Sequence, residues 1–145
     1  PKFKQWADDY FFLTHRNETR GVGGIFFDRL TTQNPDDKKN IFSFVADVGD
    51  SFVSIYSHLM QKNNNQPFNE QHKFWQSLRR SRYVEFNLVH DAGTKFGLET
   101  NGRTESILMS MPPQAQWIYN HRPDADSMEE KTLSLLKKGI DWVGF

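Results

Sequence analysis

Four charged or titratable side chains stand close together near the start of the sequence, between two aromatic clusters. They are His15, Arg16, Glu18 and Arg20. The aromatic side chains should go to the core, whereas histidine, arginine and glutamate are costly to bury without a partner. Arginine binds a carboxylate through two parallel hydrogen bonds, and histidine can act as an acid or a base near neutral pH. The pattern therefore indicates a polar site held in an apolar frame.

Three glycines follow this cluster directly. Gly21, Gly23 and Gly24 allow positive φ angles and a close approach of the backbone to a ligand. The apolar run after them, Ile25–Phe27, is typical of a strand. The sequence therefore predicts a loop that presents the charged cluster at the end of a strand. The glycines lack the spacing of a dinucleotide-binding loop and the lysine of a P-loop, which disfavours nucleotide binding.

The composition excludes several classes of function. The 145 residues suit one domain, and 18 basic side chains balance 18 acidic ones. A neutral chain does not favour nucleic acid or an anionic membrane as a partner. Because the sequence has no cysteine, this segment has no disulfide, no thiolate nucleophile and no cysteine metal ligand. No apolar run approaches the roughly 20 residues that a membrane-spanning helix needs.

The apolar spacing predicts four helices and four strands. The helices are expected over Lys2–Asp9, over a long segment ending near Lys62, from a cap at Asn69 to about Arg80, and over Ser127–Lys138. The strands are expected over Val22–Asp28, Tyr83–Val89, Lys95–Glu99 and Thr104–Met111, with turns at Asp91–Gly93 and Asn101–Gly102. The fold class is therefore expected to be α+β, with helices packed on an antiparallel sheet.

The stretch from Trp6 to Asp28 resembles the signature of a known enzyme family. It reads WADDYFFLTHRNETRGVGGIFFD and is similar, without a gap, to the pattern W-C-x-x-Y-F-F-x-x-H-R-x-E-x-R-G-x-G-G-x-F-F-D. That pattern is typical of the oxygen-dependent coproporphyrinogen-III oxidases of haem biosynthesis. Further blocks agree in the same order: Arg82–Leu88 (RYVEFNL), Asp91, Gly93–Thr94, Gly97–Pro112 and the ending Asp141–Val143.

The resemblance covers nearly the whole chain, although proteins of this family are longer. Residues 1–145 are therefore expected to form a single domain portion, the carboxy-terminal half of a coproporphyrinogen-III oxidase domain. The histidine usually proposed as proton donor would lie in the other half, so the isolated segment is expected to be inactive. The resemblance implies a cytoplasmic protein, with an organelle as the alternative because a targeting sequence could lie upstream.

The resemblance also implies a reaction and an assembly. The substrate would be coproporphyrinogen III, a tetrapyrrole with four propionates, two of which become vinyl groups with loss of carbon dioxide to give protoporphyrinogen IX. Molecular oxygen would be the oxidant, with no cofactor required and a divalent metal left open. The fold would be a large, flat antiparallel β-sheet flanked by α-helices. Two copies would form a homodimer through the segment Tyr83–Trp117.

Residue types and resemblance together nominate the site. The catalytic candidates are His15, as acid, base or metal ligand, and Asp91, as acceptor of hydrogen bonds from the pyrrole N–H groups. The substrate-binding candidates are Asn101, Gly102, Arg103, Arg16 and Arg20, because guanidinium groups and the backbone N–H groups of a turn bind carboxylates.

Each candidate also has a purely structural interpretation. His15 could merely orient its neighbours, and no other histidine has the spacing of a metal site with it. Arg16 could pair with Glu18 or Asp28, and surface pairs of that kind contribute little. Asp91 could cap a turn. The corresponding alternative function is a non-catalytic tetrapyrrole-binding or dimerisation module that retains the fold.

Three residues depart from the family pattern. Ala7 stands where cysteine is usual, which makes a thiol there dispensable. Ala92 replaces a common arginine and His90 replaces a tyrosine or tryptophan, both beside Asp91. Loss of a neighbouring cation should leave the Asp91 carboxylate less well paired.

Overall fold

The computed structural model describes residues 1–142, so Val143 of the family-like ending lies outside the described residues. Helices make up more than half of this part of the chain. In chain order the elements are α1 (Lys2–Tyr10), β1 (Phe12–Leu13), β2 (Glu18–Thr19), α2 (Pro35–Asn63), α3 (Glu70–Glu85), a π-helical turn (Phe86–His90), α4 (Ala92–Glu99), α5 (Thr104–Leu108) and α6 (Met128–Ser134).

The predicted fold class is wrong, because the described residues contain no large flat antiparallel sheet. Their sheet consists of β1 and β2 alone, paired antiparallel with Phe12 opposite Thr19 and Leu13 opposite Glu18. The protein is mainly helical. The prediction of an α+β fold with helices flanking a large sheet is replaced by a mainly helical chain with one two-stranded hairpin among its described residues.

The strand predictions are wrong where a helix continues into a segment whose apolar and polar residues alternate as in a strand. Tyr83–Val89 alternates as a strand would, yet nothing between Arg80 and Tyr83 stops a helix, and α3 continues to Glu85 before the π-helical turn. The predicted strands at Lys95–Glu99 and Thr104–Met111 are the helices α4 and α5 with the turns beside them. Asp91 starts α4 as its N-cap, so the expected hairpin turn is a helix start.

The predicted strand at Val22–Asp28 is irregular chain. Its two glycines weaken a strand, and the N–H group of Phe26 bonds to the carbonyl of Phe3 in α1 instead of to a second strand. None of Gly21, Gly23 and Gly24 adopts a positive φ. They leave open space, since a Cβ added at any of them would meet nothing within 4 Å.

The helix predictions are confirmed, with changed ends for three of them. The Asn69 side chain accepts a hydrogen bond from the N–H of His72, so α3 begins where the cap was expected. The helix α2 begins at Pro35 after Asn34, whose side chain accepts from the N–H of Asp37. The final helix, α6, is shorter than expected and ends at Ser134.

Contacts divide the structure into two compact units. One unit combines residues 1–26 with 69–142 and contains the buried core. Its fully or nearly buried apolar side chains are Ala7, Leu13, Leu78, Phe86 and Leu136. The other unit is Phe27–Phe68, in which α2 has no buried residue. None of the described helices is long and apolar enough to cross a membrane.

Candidate functional site

The hairpin β1–β2 places His15 and Arg16 in its turn. Leu13 is fully buried and anchors one strand, while Thr19 anchors the other through a hydrogen bond from its N–H to the carbonyl of Leu136. The turn closes with the N–H of Arg16 bonded to the carbonyl of Leu13 and with Asn17 at a φ of 54°. Both candidate side chains are thereby held at the surface of the core.

The end of α3 supplies the groups that face this turn. Glu85 is its last residue, and the π-helical turn that follows ends at His90. A π turn brings residues five apart onto nearly the same side, and such turns often occur at functional sites. Phe86 between them is 1% exposed and fixes the segment in the core. Glu85 and His90 can therefore both reach His15.

Glu85 is the centre of the site, because one carboxylate accepts hydrogen bonds from four side chains. Arg16 donates twice, from Nε to Oε2 at 2.9 Å and from Nη2 to Oε1 at 2.6 Å. His15 Nε2 lies 2.8 Å from Oε2. Trp117 Nε1 donates to Oε1 at 2.9 Å and Arg82 Nη1 to Oε1 at 3.2 Å. The Glu85 side chain is only 10% exposed, so these contacts replace most of its hydration.

The neighbours keep Glu85 ionised. Burial alone would raise its pKa, but hydrogen bonds from Arg16 and His15, the charge of Arg82 and the hydrogen bond from Trp117 lower the pKa from an ordinary 4.5 to about 2. The same contact with Glu85 raises the pKa of Arg16. At neutral pH the group is therefore a carboxylate that only accepts hydrogen bonds.

A second carboxylate, that of Glu18, also contacts Arg82. Glu18 Oε1 lies 2.9 Å from Arg79 Nη1 and 3.3 Å from Arg82 Nε. Burial lowers the pKa of Arg82, the charge of Arg16 lowers it further, and the charge of Glu85 works against both. Arg82 thus connects the two carboxylates. The alternative in which Arg16 pairs with Glu18 is not what the structure shows, since Arg16 pairs with Glu85.

His15 has a partner at each ring nitrogen. Its Nε2 meets Glu85, and its Nδ1 lies 3.2 Å from Nε2 of His90. The two imidazole rings are nearly parallel, with an interplanar angle of 15°. His90, one of the departures from the family pattern, is therefore a direct contact of the predicted catalytic histidine.

The residues around His15 do not fit a metal site. Its two nitrogens face opposite partners, so His15, Glu85 and His90 do not converge on one point. Among residues 1–142, no group of three or more histidine, cysteine, aspartate or glutamate side chains is arranged to hold an ion. Ligation of a metal by His15 would require it to give up its contact with Glu85 or with His90.

Arg20 occupies a different place from Arg16. Its guanidinium carbon lies 4.1 Å from the ring centre of Phe11, 5.0 Å from that of Phe86 and 5.3 Å from that of Tyr83. No described side chain forms a hydrogen bond or ion pair with it. Burial lowers the pKa of Arg20. The site thus holds a half-buried cation on aromatic faces without a bonded anion.

This cation lines a cleft of about 440 Å³. The three open glycines form part of the wall, and aromatic side chains form another part. The lining residues that matter here are Arg20, Gly21, Gly23, Gly24, Phe26 and Tyr83. The carboxylate of Asp8 also lines the cleft but is paired with Lys4. The Arg20 cation, the apolar faces and the accessible backbone therefore suit an apolar ligand that carries a carboxylate.

Asp91 lies at the edge of the same neighbourhood. Its Oδ2 accepts a hydrogen bond from the N–H of Thr94 at 2.7 Å, and its Oδ1 accepts one from the hydroxyl of Tyr10 at 3.1 Å. Burial alone would raise its pKa, but the hydrogen bonds from Thr94 and Tyr10 and the charge of Arg20 lower it. Asp91 is therefore an ionised helix cap, with lone pairs left for a further donor.

The turn Asn101–Gly102 is present as predicted and leads directly to Arg103. Asn101 has a φ of 62°, and the N–H of Gly102 is bonded to the carbonyl of Gly97. Arg103 is exposed at the N-cap of α5 and has no side-chain hydrogen bond or ion pair with another described residue. Arg103 does not line the Arg20 cleft, nor a further cleft that Arg16 forms with residues 117–120.

Replacing Gly102 with alanine should lower the free energy of unfolding by about 1–3 kcal/mol. The added Cβ would lie 2.7 Å from the carbonyl oxygen of Gly97 and 3.1 Å from Cδ1 of Ile107, so backbone would have to move. Thermal unfolding would measure the effect. Gly23→Ala is the control, because its Cβ would enter open space. Equal stability of the two variants would show that the turn is not closely packed.

The structure brings together some of the predicted site residues and separates others. His15 and Arg16 meet on Glu85, Arg20 lies near Asp91, and Arg103 stands apart. Sequence reasoning missed Glu85, His90 and Trp117 as parts of the site. The signal for Glu85 was available, since it is the one carboxylate in the apolar block RYVEFNL and a charge in such a block needs partners.

Comparison with known proteins places this arrangement in a family. The sequence model described as coproporphyrinogen III oxidase matches residues 1–142. The chain is 49% identical over 143 residues to a protein of Arabidopsis thaliana named coproporphyrinogen-III oxidase 1, chloroplastic. It is 48% identical over 143 residues to the oxygen-dependent coproporphyrinogen-III oxidase, chloroplastic, of Glycine max. Each match covers 99% of this chain and 36% of the relative, so the chain spans about a third of the length of these relatives. The chain belongs to the coproporphyrinogen III oxidase family.

Proposed function

We propose that the protein containing this chain is an oxygen-dependent coproporphyrinogen-III oxidase. It converts two propionates of coproporphyrinogen III to vinyl groups and so makes protoporphyrinogen IX for haem and porphyrin biosynthesis. Each propionate loses carbon dioxide, a proton and two electrons, and molecular oxygen takes up the two electrons with two protons and is reduced to hydrogen peroxide. The observation that carries the proposal is the family match across 99% of the chain at 49% identity.

The Arg20 cleft supports a carboxylate-bearing substrate. Its guanidinium is partly desolvated and has no bonded anion among the described residues, so a propionate would supply the missing partner. A charge-assisted pair of this kind is about twice as strong as a neutral hydrogen bond. The aromatic faces beside Arg20 suit the apolar pyrrole rings.

Arg16 and Arg103 differ in what they can offer to a second carboxylate. Arg16 already uses Nε and Nη2 on Glu85, which leaves Nη1 for a ligand. Arg103 is exposed and follows the backbone N–H groups of Asn101 and Gly102. We assign to this turn the capture of a second propionate outside the Arg20 cleft.

Asp91 and His15 are the groups that would meet the reacting part of the substrate. The Asp91 carboxylate can accept hydrogen bonds from pyrrole N–H groups and so stabilise positive charge that develops on the ring as electrons leave. His15 can take or return a proton once a ring nitrogen exchanges its present partner, Glu85 or His90, for the substrate. Their supporting contacts, to Thr94 for Asp91 and to Glu85 for His15, hold both groups in place before substrate arrives.

Two further parts of the proposal concern assembly and location. The segment Tyr83–Trp117 is proposed as the interface of a homodimer, and the exposed apolar side chains Leu88, Val89, Phe96 and Met109 within it favour such a role. The two named relatives are chloroplastic. Their names favour an organelle over the cytoplasmic location that was expected from the sequence.

The test uses the intact protein and anaerobic coproporphyrinogen III. Oxygen is admitted in the presence of a metal chelator, and the formation of protoporphyrinogen IX is followed. Turnover supports the oxidase and shows that a removable metal is not required. Tight binding of the substrate without turnover, with or without chelator, would instead support the tetrapyrrole-binding alternative.

Two substitutions at Asp91 separate catalysis from capping. Asp91→Ala removes the helix cap and should lower the free energy of unfolding by about 1 kcal/mol. Asp91→Asn keeps the cap, because asparagine caps as well as aspartate. Both variants should lose turnover by roughly tenfold or more, since loss of an aimed electrostatic group typically costs at least that much. Wild-type turnover of Asp91→Asn would remove the carboxylate charge from the mechanism.

A further inference from the structure

Glu85 and His90 together determine where the proton of the neutral His15 ring resides. His15 Nε2 lies 2.8 Å from Glu85 Oε2, and His15 Nδ1 lies 3.2 Å from His90 Nε2. We propose that Glu85 is a positioning residue that fixes neutral His15 as the Nε2–H tautomer and thereby fixes His90 as the Nε2–H donor to His15.

The first step follows from the chemistry of a carboxylate. An ionised carboxylate has no proton to give, so a ring nitrogen at hydrogen-bond distance from it must carry one. Arg16, Arg82 and Trp117 also donate to Glu85 and keep it ionised. Neutral His15 therefore carries its proton on Nε2, and its lone pair is on Nδ1.

The second step passes from His15 to His90. The His15 Nδ1 lone pair faces Nε2 of His90, and two lone pairs at 3.2 Å would repel each other. His90 Nε2 must therefore carry a proton and donate it to His15. The result is a directed chain of hydrogen bonds from His90 through His15 to Glu85, in which Nδ1 of His15 is the basic atom.

The arrangement of donors around Glu85 predicts what an amide would do there. Oε1 receives hydrogen bonds from Arg16, Arg82 and Trp117, whereas Oε2 receives them from Arg16 and His15. In Glu85→Gln the single oxygen should stay at the Oε1 position with its three donors. The amide NH₂ would then face Nε2 of His15 and select the opposite, Nδ1–H tautomer.

The experiment reads the tautomer directly. Nitrogen chemical shifts of the histidine rings are measured in the intact protein at about pH 8.5, about two units above the ordinary histidine pKa. In the wild type we expect Nε2–H on His15 with a preference of roughly 10-fold or more, because hydrogen bonds to charged groups are strong. Glu85→Gln should reverse that preference. A wild-type His15 protonated on Nδ1, or a Glu85→Gln variant with the wild-type tautomer, would overturn the proposal.

Two controls assign the effect to Glu85. Glu18→Gln changes a neighbouring carboxylate that pairs with Arg79 and Arg82 but does not contact His15, so the tautomer should not change. His90→Phe keeps an aromatic ring and removes the other partner, and His15 should still be Nε2–H. If Glu85→Gln fails to fold, His90→Phe decides, since a switch of His15 to Nδ1–H there would show that His90 sets the tautomer.

A second measurement connects the tautomer to turnover and rests on the proposed function. Glu85→Gln should lower kcat for coproporphyrinogen III at least roughly tenfold, as expected when a proton-transfer group carries its proton on the wrong atom, with little change in KM. Glu70→Gln, at the exposed first residue of α3 and outside the site, should keep the wild-type kcat. An inactive wild type would contradict the proposed function alone, because the nitrogen shifts do not depend on turnover. A changed tautomer with unchanged kcat would overturn the role of Glu85 in positioning His15 for the reaction.

Discussion

Replacing Glu85 with alanine should lower the free energy of unfolding by about 3–5 kcal/mol. The substitution leaves Arg16 and Arg82 side by side without the carboxylate that they share, and Arg82 is largely buried with a side chain 10% exposed. Removal of one partner from a buried ion pair costs this much when the remaining charges lose their compensation, and Arg82 would keep only its longer contact with Glu18, at 3.3 Å. Urea unfolding at pH 7 measures the difference.

The matched control is Glu99→Ala at the end of α4. Glu99 is exposed and has no hydrogen bond or ion pair with another described residue, so its loss should change stability by less than about 0.5 kcal/mol. A loss below about 1 kcal/mol for Glu85→Ala would show that water replaces the carboxylate and that the network contributes little.

The lowered pKa of Glu85 also predicts how stability depends on pH. A carboxyl group whose folded-state pKa is below its unfolded value stabilises the protein above the unfolded pKa, and that contribution is lost as pH falls through the folded pKa. For Glu85 the loss should occur between pH 4.5 and about 2. Glu85→Gln should flatten this part of the stability curve, and an unchanged acid slope would contradict the shift.

The sequence predicted the helices better than the strands for a physical reason. A helix is specified by neighbours three and four residues away, as in α2 and α3, and its cap is a local signal, as at Asn69. A strand depends on a partner elsewhere in the chain. Apolar and polar residues alternate in Tyr83–Val89 as they would in a strand. The helix that begins after Asn69 nevertheless continues into this run, as far as Glu85.

The site was predicted in its residue types and missed in its connections. His15 and Arg16 stood out because charges between aromatic clusters are unusual. Their main partner, Glu85, lies about 70 residues away, and no local spacing predicts which distant carboxylate will meet a turn. The same limit applies to Arg20, whose aromatic neighbours Tyr83 and Phe86 come from α3 and the π-helical turn after it.

Replacing Arg20 with methionine should reduce kcat/KM for coproporphyrinogen III by roughly 10- to 100-fold. A hydrogen-bonded charge pair contributes about 1.5–3 kcal/mol, and about 1.4 kcal/mol corresponds to a factor of ten. Steady-state kinetics of the intact protein, begun by admitting oxygen, measures the ratio. The kcat/KM of Arg20→Lys should lie between those of the wild type and Arg20→Met. Lysine keeps the charge but loses the planar fork that binds both carboxylate oxygens.

The free energy of unfolding of Arg20→Met should rise or stay unchanged while kcat/KM falls. This difference separates an effect on binding from an effect on folding. Arg20 is half-buried without a bonded anion and burial lowers its pKa, so methionine removes a desolvated charge and keeps apolar contact with Phe11 and Phe86. Arg29→Met is the control, because the Arg29 side chain is 92% exposed and its loss should change neither quantity. If Arg20→Met lost stability and kept the wild-type kcat/KM, its cation would serve packing on the aromatic rings, and the propionate would have to be bound elsewhere.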